Sequence, residues 1–394
     1  MRAVTVIQRS VQQVITHRHF TLTRAETGTL GQVVDFDALE AAGIADARAR
    51  AGLIEYLTGL GFTADQMVEA ERNGRLFGLA GDGLLWSGPQ IYTLRTAADS
   101  IGVTLGEVER GWAMLGLTVA DPDTPALSQA DVDGLATWVA MRMQMGPDAA
   151  DGFLRVLGAN VARVAEAISS MIRTSQPKMW LGDSGDELTT AVVYREAAEF
   201  VPRLGAMIDA VHRHHLVSTR TFIEGVVSGP SASLECGVGF ADLSGFTALT
   251  QTLTPAELSA MLTEFGATVS DVVHADGGRV VKFLGDAVMW VSPKPERLAK
   301  AALDLVDNPR AREAGLQVRA GLGYGPILAL GGDYYGNAVN LAARLVAAAA
   351  PGQILAAEEV YKQLPQWPAV AQEPLQLKGF DAPVIAYELG RAEA

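Results

Sequence analysis

The sequence predicts an α+β protein, with an all-α N-terminal half and a C-terminal half in which strands and helices alternate. Three observations carry that prediction. In 151–173, Phe153, Leu154, Leu157, Val161, Val164, Ala165, Ile168, Met171 and Ile172 recur at steps of three and four, the spacing of one helical face. Beyond residue 235, short apolar runs of strand length alternate with helical patterns in the order βαββαββα, which implies a sheet with helices packed on it. Between the two styles lies Gly225-Val-Val-Ser-Gly-Pro-Ser-Ala-Ser233, whose Gly, Ser and Pro read as a linker. A chain of 394 residues accommodates two or three domains at roughly 150 residues each.

In the N-terminal half, residues 129–145 and 187–218 repeat the helical spacing, and Pro202 should kink or split the second of these. Shorter helices fit 45–60 and 97–116. The stretch 96–112 has helix-turn-helix phrasing, but its charges are Asp99, Glu107, Glu109 and Arg110, a net −2 where phosphate contacts would be needed, so it reads as packing within a helical domain. Residues 1–34 carry Arg2, Arg9, Arg18 and Arg24 against Glu26. No apolar signal core or small-residue cleavage site follows, so this segment reads as an N-terminal extension and the protein as cytoplasmic.

In the C-terminal half, Glu235–Leu243 is an apolar strand, followed by Ser244-Gly-Phe-Thr247 and a helix to His274. Asp276-Gly-Gly278 makes a turn, and 279–284 and 287–291 form a hairpin about Gly285-Asp286. A helix follows over 294–307. Residues 316–324 and 327–331 read as a second hairpin around Gly325-Pro326, and a helix spans 338–349. Strands near 353–356, 375–378 and 384–389 complete the half.

Composition narrows the function. With 49% apolar and 19% charged residues the chain is globular rather than disordered. No apolar run reaches the ~20 residues of a membrane span. The lone cysteine, Cys236, excludes a disulfide framework and any multi-cysteine metal site. A net charge of −14 argues against nucleic acid and anionic membrane as partners. Residues 235–394 carry 18 acidic and 12 basic groups, so neither half hides a basic excess.

Two acids end adjacent elements. Asp242 closes a strand and Asp286 sits in a hairpin turn; on neighbouring strands their carboxylates reach one point, an oxygen-donor set suited to Mg²⁺ or Mn²⁺. Two such ions ~3.5–4 Å apart clamp a reacting phosphate. The Ser244, Gly245, Phe246, Thr247 turn opens a helix whose free N–H groups would hold phosphate oxygens. Asn340 and Arg344 are i and i+4 on one helix face, where an Arg can stabilise charge on a transferring phosphoryl group. Taken singly, each feature has a plainer reading: Asp242 as a helix cap, Asp286 as a turn residue, Asn340 and Arg344 as a solvated face.

In combination, Phe240-Ala-Asp-Leu-Ser-Gly-Phe-Thr247, Lys282-Phe-Leu-Gly-Asp-Ala-Val-Met289 and Asp333-Tyr-Tyr-Gly-Asn-Ala-Val-Asn-Leu-Ala-Ala-Arg344 closely resemble the catalytic domain of class III nucleotidyl cyclases. The resemblance runs from 235 to the end and includes Leu377-Lys378-Gly379. It implies a ferredoxin-like catalytic domain and a role for each matching residue. Asp242 and Asp286 match the metal-binding aspartates, with two Mg²⁺ or Mn²⁺ per active site. Lys282 and Asp333 match the adenine-reading pair, Asn340 the residue that orients the ribose, and Arg344 the one that stabilises the transition state. On guanine a Lys donor and an Asp acceptor meet the wrong partners, so the implied substrate is ATP and the products are 3′,5′-cyclic AMP and pyrophosphate. Family sites lie at a dimer interface, and this chain holds all six residue types, which implies a homodimer with two complete sites.

The N-terminal half is similar to that of the soluble mycobacterial adenylate cyclases with an autoinhibitory, acid-responsive domain, some of which bind fatty acid there. The implied organisation is an extension over 1–34, an all-α regulatory domain over 35–224, a linker over 225–234 and the cyclase domain over 235–394. His212, His214 and His215 cluster beside Arg213 just before the linker, where protonation near pH 6.5 adds charge. They read either as a pH switch or as plain surface histidines. Two rival readings of the whole chain are a slow nucleotide-sensing module on an intact cyclase fold, separable by turnover, and a transcription regulator using 96–117, which the acidic charge opposes.

Overall fold

The computed structural model describes residues 34–119, 121–175, 186–226, 233–313 and 316–390. The expected extension, apart from Val34, and residues 227–232 of the expected linker lie outside these. The N-terminal half is helical: α1 (Phe36–Ala42), α2 (Ala51–Gly59), α3 (Ala64–Arg72), α4 (Leu79–Leu85), α5 (Leu94–Ile101), α6 (Leu105–Met114), α7 (Gln129–Met145), α8 (Pro147–Ser175), α9 (Glu187–Ala198) and α10 (Val201–Val226). The helix expected over 187–218 is split at Phe200, and Pro202 falls in the first turn of α10, where its missing N–H has no intrahelical partner to lose. The helix-turn-helix phrase over 96–112 is formed by α5 and α6, which meet at a turn containing Gly102.

The chain divides into two compact units, Met1–Leu85 with Ile172–Glu199 and Trp86–Met171 with Phe200–Ala394. In the first, Ile44, Ile54, Leu57, Leu76 and Ala191 are fully or nearly fully buried in one cluster. Arg50 is gripped there by Glu71 at 2.7 Å and by Glu187 at 2.6 Å, three half-buried charges that compensate one another. In the second, Leu127, Leu135 and Trp138 build a helical core with Leu94 and Val108. The helix-turn-helix phrase is therefore used for packing. Along α8 the expected apolar stripe forms, but little of it is core: Leu154 is buried while Phe153, Leu157, Val161 and Val164 are 40–49% exposed.

The C-terminal elements are β1 (Ser233–Ser244), α11 (Phe246–Thr250), α12 (Pro255–Ala275), β2 (Arg279–Leu284), β3 (Ala287–Ser292), α13 (Pro295–Val306), α14 (Pro309–Glu313), β4 (Gln317–Leu330), β5 (Asp333–Tyr335), α15 (Asn337–Ala348), β6 (Ile354–Ala357), α16 (Glu358–Gln363), β7 (Ala369–Ala371) and β8 (Ala386–Leu389). They form one sheet in the order β2-β3-β1-β4-β6-β8-β7, with β5 paired to β4. The arrangement is the α+β sheet that the sequence predicts. One face carries Leu243, Val288, Trp290 and Leu322 under α13. The other carries Cys236, Phe240, Met289 and Ile327 against Ala338, Ala342 and Val346 of α15. Gly321 and Gly323 permit that contact, because a Cβ at either would sit 2.3 Å from α15 backbone.

Two expectations fail here. Residues 316–331 are not a hairpin around Gly325-Pro326 but one long strand, whose Gly325 and Pro326 face Cys236 and Glu235 of β1. Pro326 is tolerated because β6 pairs only with 320–322 and β5 only with 328–330, so β4 has no ladder partner on that side between them. The turn comes instead at Gly331-Gly332, both with positive φ (63° and 78°), which reverses β4 into β5 in two residues. The strand expected over 375–378 is reduced to one bridge, Leu375 to Val384.

Candidate active site

The site grows out of strand register. Asp242 faces Ala287 across the β1–β3 ladder, so it lies beside Asp286 in the β2–β3 turn. Asp286 is pushed above the usual carboxylate range, by burial first and, among the causes that raise it, by the charge of the adjacent Asp242 next. Arg319 faces Asp242 on the other ladder and donates to its Oδ2 through Nε at 3.0 Å and a terminal guanidinium nitrogen at 2.6 Å. It also donates to the carbonyls of Ala347 and Ala349 at the end of α15. Arg319 was missed in the sequence. Its only local signal is a charge inside an apolar strand, and its partner is 77 residues away.

After Asp242 the chain turns at Gly245, in the left-handed region at φ 82°, into α11. The Ser244 hydroxyl is buried at this turn without a hydrogen-bond partner among the described residues. Phe246 is half-buried against the core. The side chain of Thr247 lies outside the described residues.

Lys282 and Asp333 meet in an ion pair, 51 residues apart in sequence, with side chains 36% and 25% exposed. A register shift between Val280 and Lys282 marks a bulge just before the lysine. Asp333 also accepts from the Tyr334 N–H at 2.8 Å. Beside Asp333, residues of α10, β2 and the β4–β5 hairpin line an open cavity of about 410 Å³, which Lys282 does not reach. Asn340 and Arg344 project from the exposed face of α15. Arg344 donates to the Lys378 carbonyl at 3.1 Å, which ties the Leu377-Lys378-Gly379 segment to this helix although it forms no strand. Neither residue is hydrogen-bonded to the acid pair or to Lys282–Asp333 among the described residues.

All three histidines of α10 are exposed, and only His215 borders the cavity that contains Asp333. Among the described residues no group of three or more His, Cys, Asp or Glu is placed to hold a metal, and no helix is long and apolar enough to cross a membrane. The arrangement offers a paired carboxylate site steadied by an arginine, and a separate Lys–Asp pair able to present one donor and one acceptor to a planar edge.

Comparison with known proteins identifies both halves of the chain. Residues 230–390 match the adenylate and guanylate cyclase catalytic domain, and residues 35–219 match the adenylate cyclase regulatory domain. An uncharacterized protein of Mycobacterium tuberculosis is 68% identical over 356 residues, 90% of this chain and 94% of that one. An adenylate cyclase of Streptomyces coelicolor is 31% identical, covering 70% of this chain and 72% of its own length. A pH-sensitive adenylate cyclase of M. tuberculosis is 29% identical, covering 80% of each chain. Among solved structures, the adenylyl cyclase CyaB of P. aeruginosa matches at 23% identity and a TM-score of 0.39, covering 41% of this chain and 96% of that one.

Proposed function

Because the chain belongs to the class III adenylate and guanylate cyclases, we propose that it converts ATP to 3′,5′-cyclic AMP and pyrophosphate, as a homodimer governed by its helical N-terminal region. The observation that carries the choice of ATP is the Lys282–Asp333 pair. Lys282 donates and Asp333 accepts, the complement of adenine's ring nitrogen and amine and the reverse of what guanine presents.

Asp242 and Asp286 would hold Mg²⁺ or Mn²⁺. The donor set fits: two hard oxygen groups sit side by side, and Asp286 is raised by burial and by the Asp242 charge, a repulsion that a bound cation would offset. Two side-chain carboxylates leave room for substrate phosphate oxygens, with which such an ion would share its oxygen donors. The bound ions would supply Lewis-acid polarisation of the α-phosphate and a lowered pKa at the ribose 3′-oxygen. Arg319 holds Asp242 in place. Asn340 orients the ribose, so that its 3′-oxygen points at the α-phosphorus. Arg344 offsets charge on the phosphoryl oxygens as the bond to pyrophosphate lengthens. Ser244 to Thr247 receive phosphate oxygens, and the unpartnered Ser244 hydroxyl supports that role.

Two facts support a homodimer. Asn340 and Arg344 sit on an exposed helix face, away from hydrogen-bonding reach of the acid pair in their own chain. Apolar side chains also line the exposed length of α10, with Met207, Val211, Leu216 and Val217 each 47–63% exposed. We assign 35–224 to regulation, 225–234 to the connection and 235–394 to catalysis. The histidines of α10 make acid the candidate signal.

The test is cyclic AMP formation from ATP with Mn²⁺ by the whole chain and by residues 225–394, over about pH 5.5–8, where imidazoles titrate. Product from ATP but not GTP, with a pH response confined to the whole chain, is the expected result. Turnover of GTP in preference to ATP overturns the substrate assignment. No product from either nucleotide overturns the activity.

A further inference from the structure

Helix α10 ends inside the sheet half. Val226 is 5% exposed in the same cluster as Leu234, Cys236 and Phe240, and Phe222 packs against it. One turn before Phe222, a side chain from β2 adds a polar contact to this packing. The guanidinium of Arg279 donates to Thr219 Oγ1 and lies 5.7 Å from the ring centroid of Phe222. Among the described residues no carboxylate pairs with Arg279, so this half-buried cation is held by a hydroxyl and a ring. Serving a hydroxyl and a ring at once suits the planar guanidinium, and a compact lysine ammonium reproduces that arrangement only in part.

The same guanidinium reaches toward the base-reading pair from two directions. Arg279 opens β2 opposite Val291, and three residues later, past the bulge, the strand delivers Lys282. On the other side it neighbours the Tyr334 hydroxyl, whose proton burial holds more tightly and the adjacent guanidinium partly loosens. Tyr334 in turn donates its backbone N–H to Asp333. Thr219, Arg279, Tyr334 and Asp333 line one cavity. Arg279 thus stands between the end of α10 and the two strands that carry the pair.

We propose that Arg279 is a positioning residue for base recognition, clamping the end of helix α10 to the strands that carry Lys282 and Asp333 so that the placement of the helix sets how well the pair meets the base. This rests on the assignment of Lys282 and Asp333 as the base-reading pair. It adds a route by which the helical half tunes affinity and selectivity without touching the metal-binding carboxylates.

The experiment uses the whole chain with Thr219→Val, Arg279→Lys and the double variant. It measures KM and kcat for ATP and GTP with Mn²⁺, together with calorimetric Kd values for both nucleotides. Each single change should raise the KM for ATP about 3–10-fold, the size of one ordinary hydrogen bond, because Arg279 acts on the base only through its neighbours, with kcat within about twofold. The preference for ATP over GTP should fall by a similar factor. The double variant should be no worse than the weaker single one, since both remove the same link. Thr219→Val keeps the shape of its side chain at a helix position, so it tests the idea even where an Arg279 variant folds poorly. An unchanged ATP-to-GTP preference in Thr219→Val and Arg279→Lys overturns the proposal, as does a loss confined to kcat. Should the wild-type chain turn over neither nucleotide, the cyclase reading fails by itself, and the ratio of the two Kd values still decides the role of Arg279.

Discussion

Arg319 binds a single carboxylate oxygen of Asp242 with two guanidinium nitrogens, at 3.0 and 2.6 Å, and caps the end of α15 with the same group. The pair is about three-quarters buried, so removing one partner leaves the other charge without compensation. Arg319→Ala should lower stability by about 1–3 kcal/mol and weaken the apparent Mn²⁺ affinity. Arg319→Lys should recover stability only in part, because the two-pronged geometry is gone. Thermal melting and activity titrated with Mn²⁺ check both. A variant with wild-type metal dependence would show that Arg319 does not position Asp242.

Asp333→Ala should reduce kcat/KM for ATP by about 10–100-fold, the cost of one unmade hydrogen bond to a buried polar edge. It should reduce GTP use much less, so the selectivity ratio collapses. Kinetics on both nucleotides measure this. Equal losses on ATP and GTP would mean that the Lys282–Asp333 pair does not read the base.

Burial, then the neighbouring Asp242 charge, raise the Asp286 carboxyl. A raised acid favours the protonated fold, so its contribution is present below the ordinary carboxylate range and is lost as pH rises through its own shifted titration. The metal-free protein should therefore lose stability across the pH range just above ordinary carboxylates. Asp286→Asn should flatten that slope and gain less than about 1 kcal/mol at neutral pH, solvent screening keeping it small. The same change should abolish turnover. Melting curves in chelator at several pH values give the answer, and a slope unaltered in the variant would assign the effect elsewhere.

Cys236 has no exposed surface, and burial pushes its thiol up to about 12. At pH 8 roughly one molecule in ten thousand carries the thiolate, and it is shielded. A disulfide reagent should leave the native protein unlabelled and react at once after unfolding in denaturant. Rapid labelling of the folded chain would mean that β1 opens locally.

Of the three histidines on α10, only His215 borders the cavity beside Asp333. His215→Asn should move the pH–activity profile of the whole chain, whereas His212→Asn and His214→Asn, exposed on the helix, should not. If the triple variant keeps the wild-type profile, the histidines are surface residues and acid acts elsewhere.

Sequence alone determined a great deal here, because the relevant signals are local. Helical spacing, the Gly285-Asp286 turn and the three motif strings each lie within a few residues. They delivered the α+β class, the two acids, the Lys and Asp, and the Asn340/Arg344 helix face. Local reading also produced the errors. Gly325-Pro326 has the chemistry of a turn, and only the pairing of β1 along the whole of β4 makes it strand. The stripe on α8 has the chemistry of core, yet the tertiary structure leaves most of it in solvent.

What the tertiary structure decided was every relationship across long sequence separations. The grip of Arg319 on Asp242 comes from ladder register, Lys282 reaches Asp333 around the β4–β5 hairpin, and Arg279 meets Thr219 because the end of α10 packs on β2. Spacing along a chain specifies which face a side chain takes. Which other face it meets is set by packing the whole sheet and its helices at once, and that is where the candidate site acquires its charges and its link to the helical half.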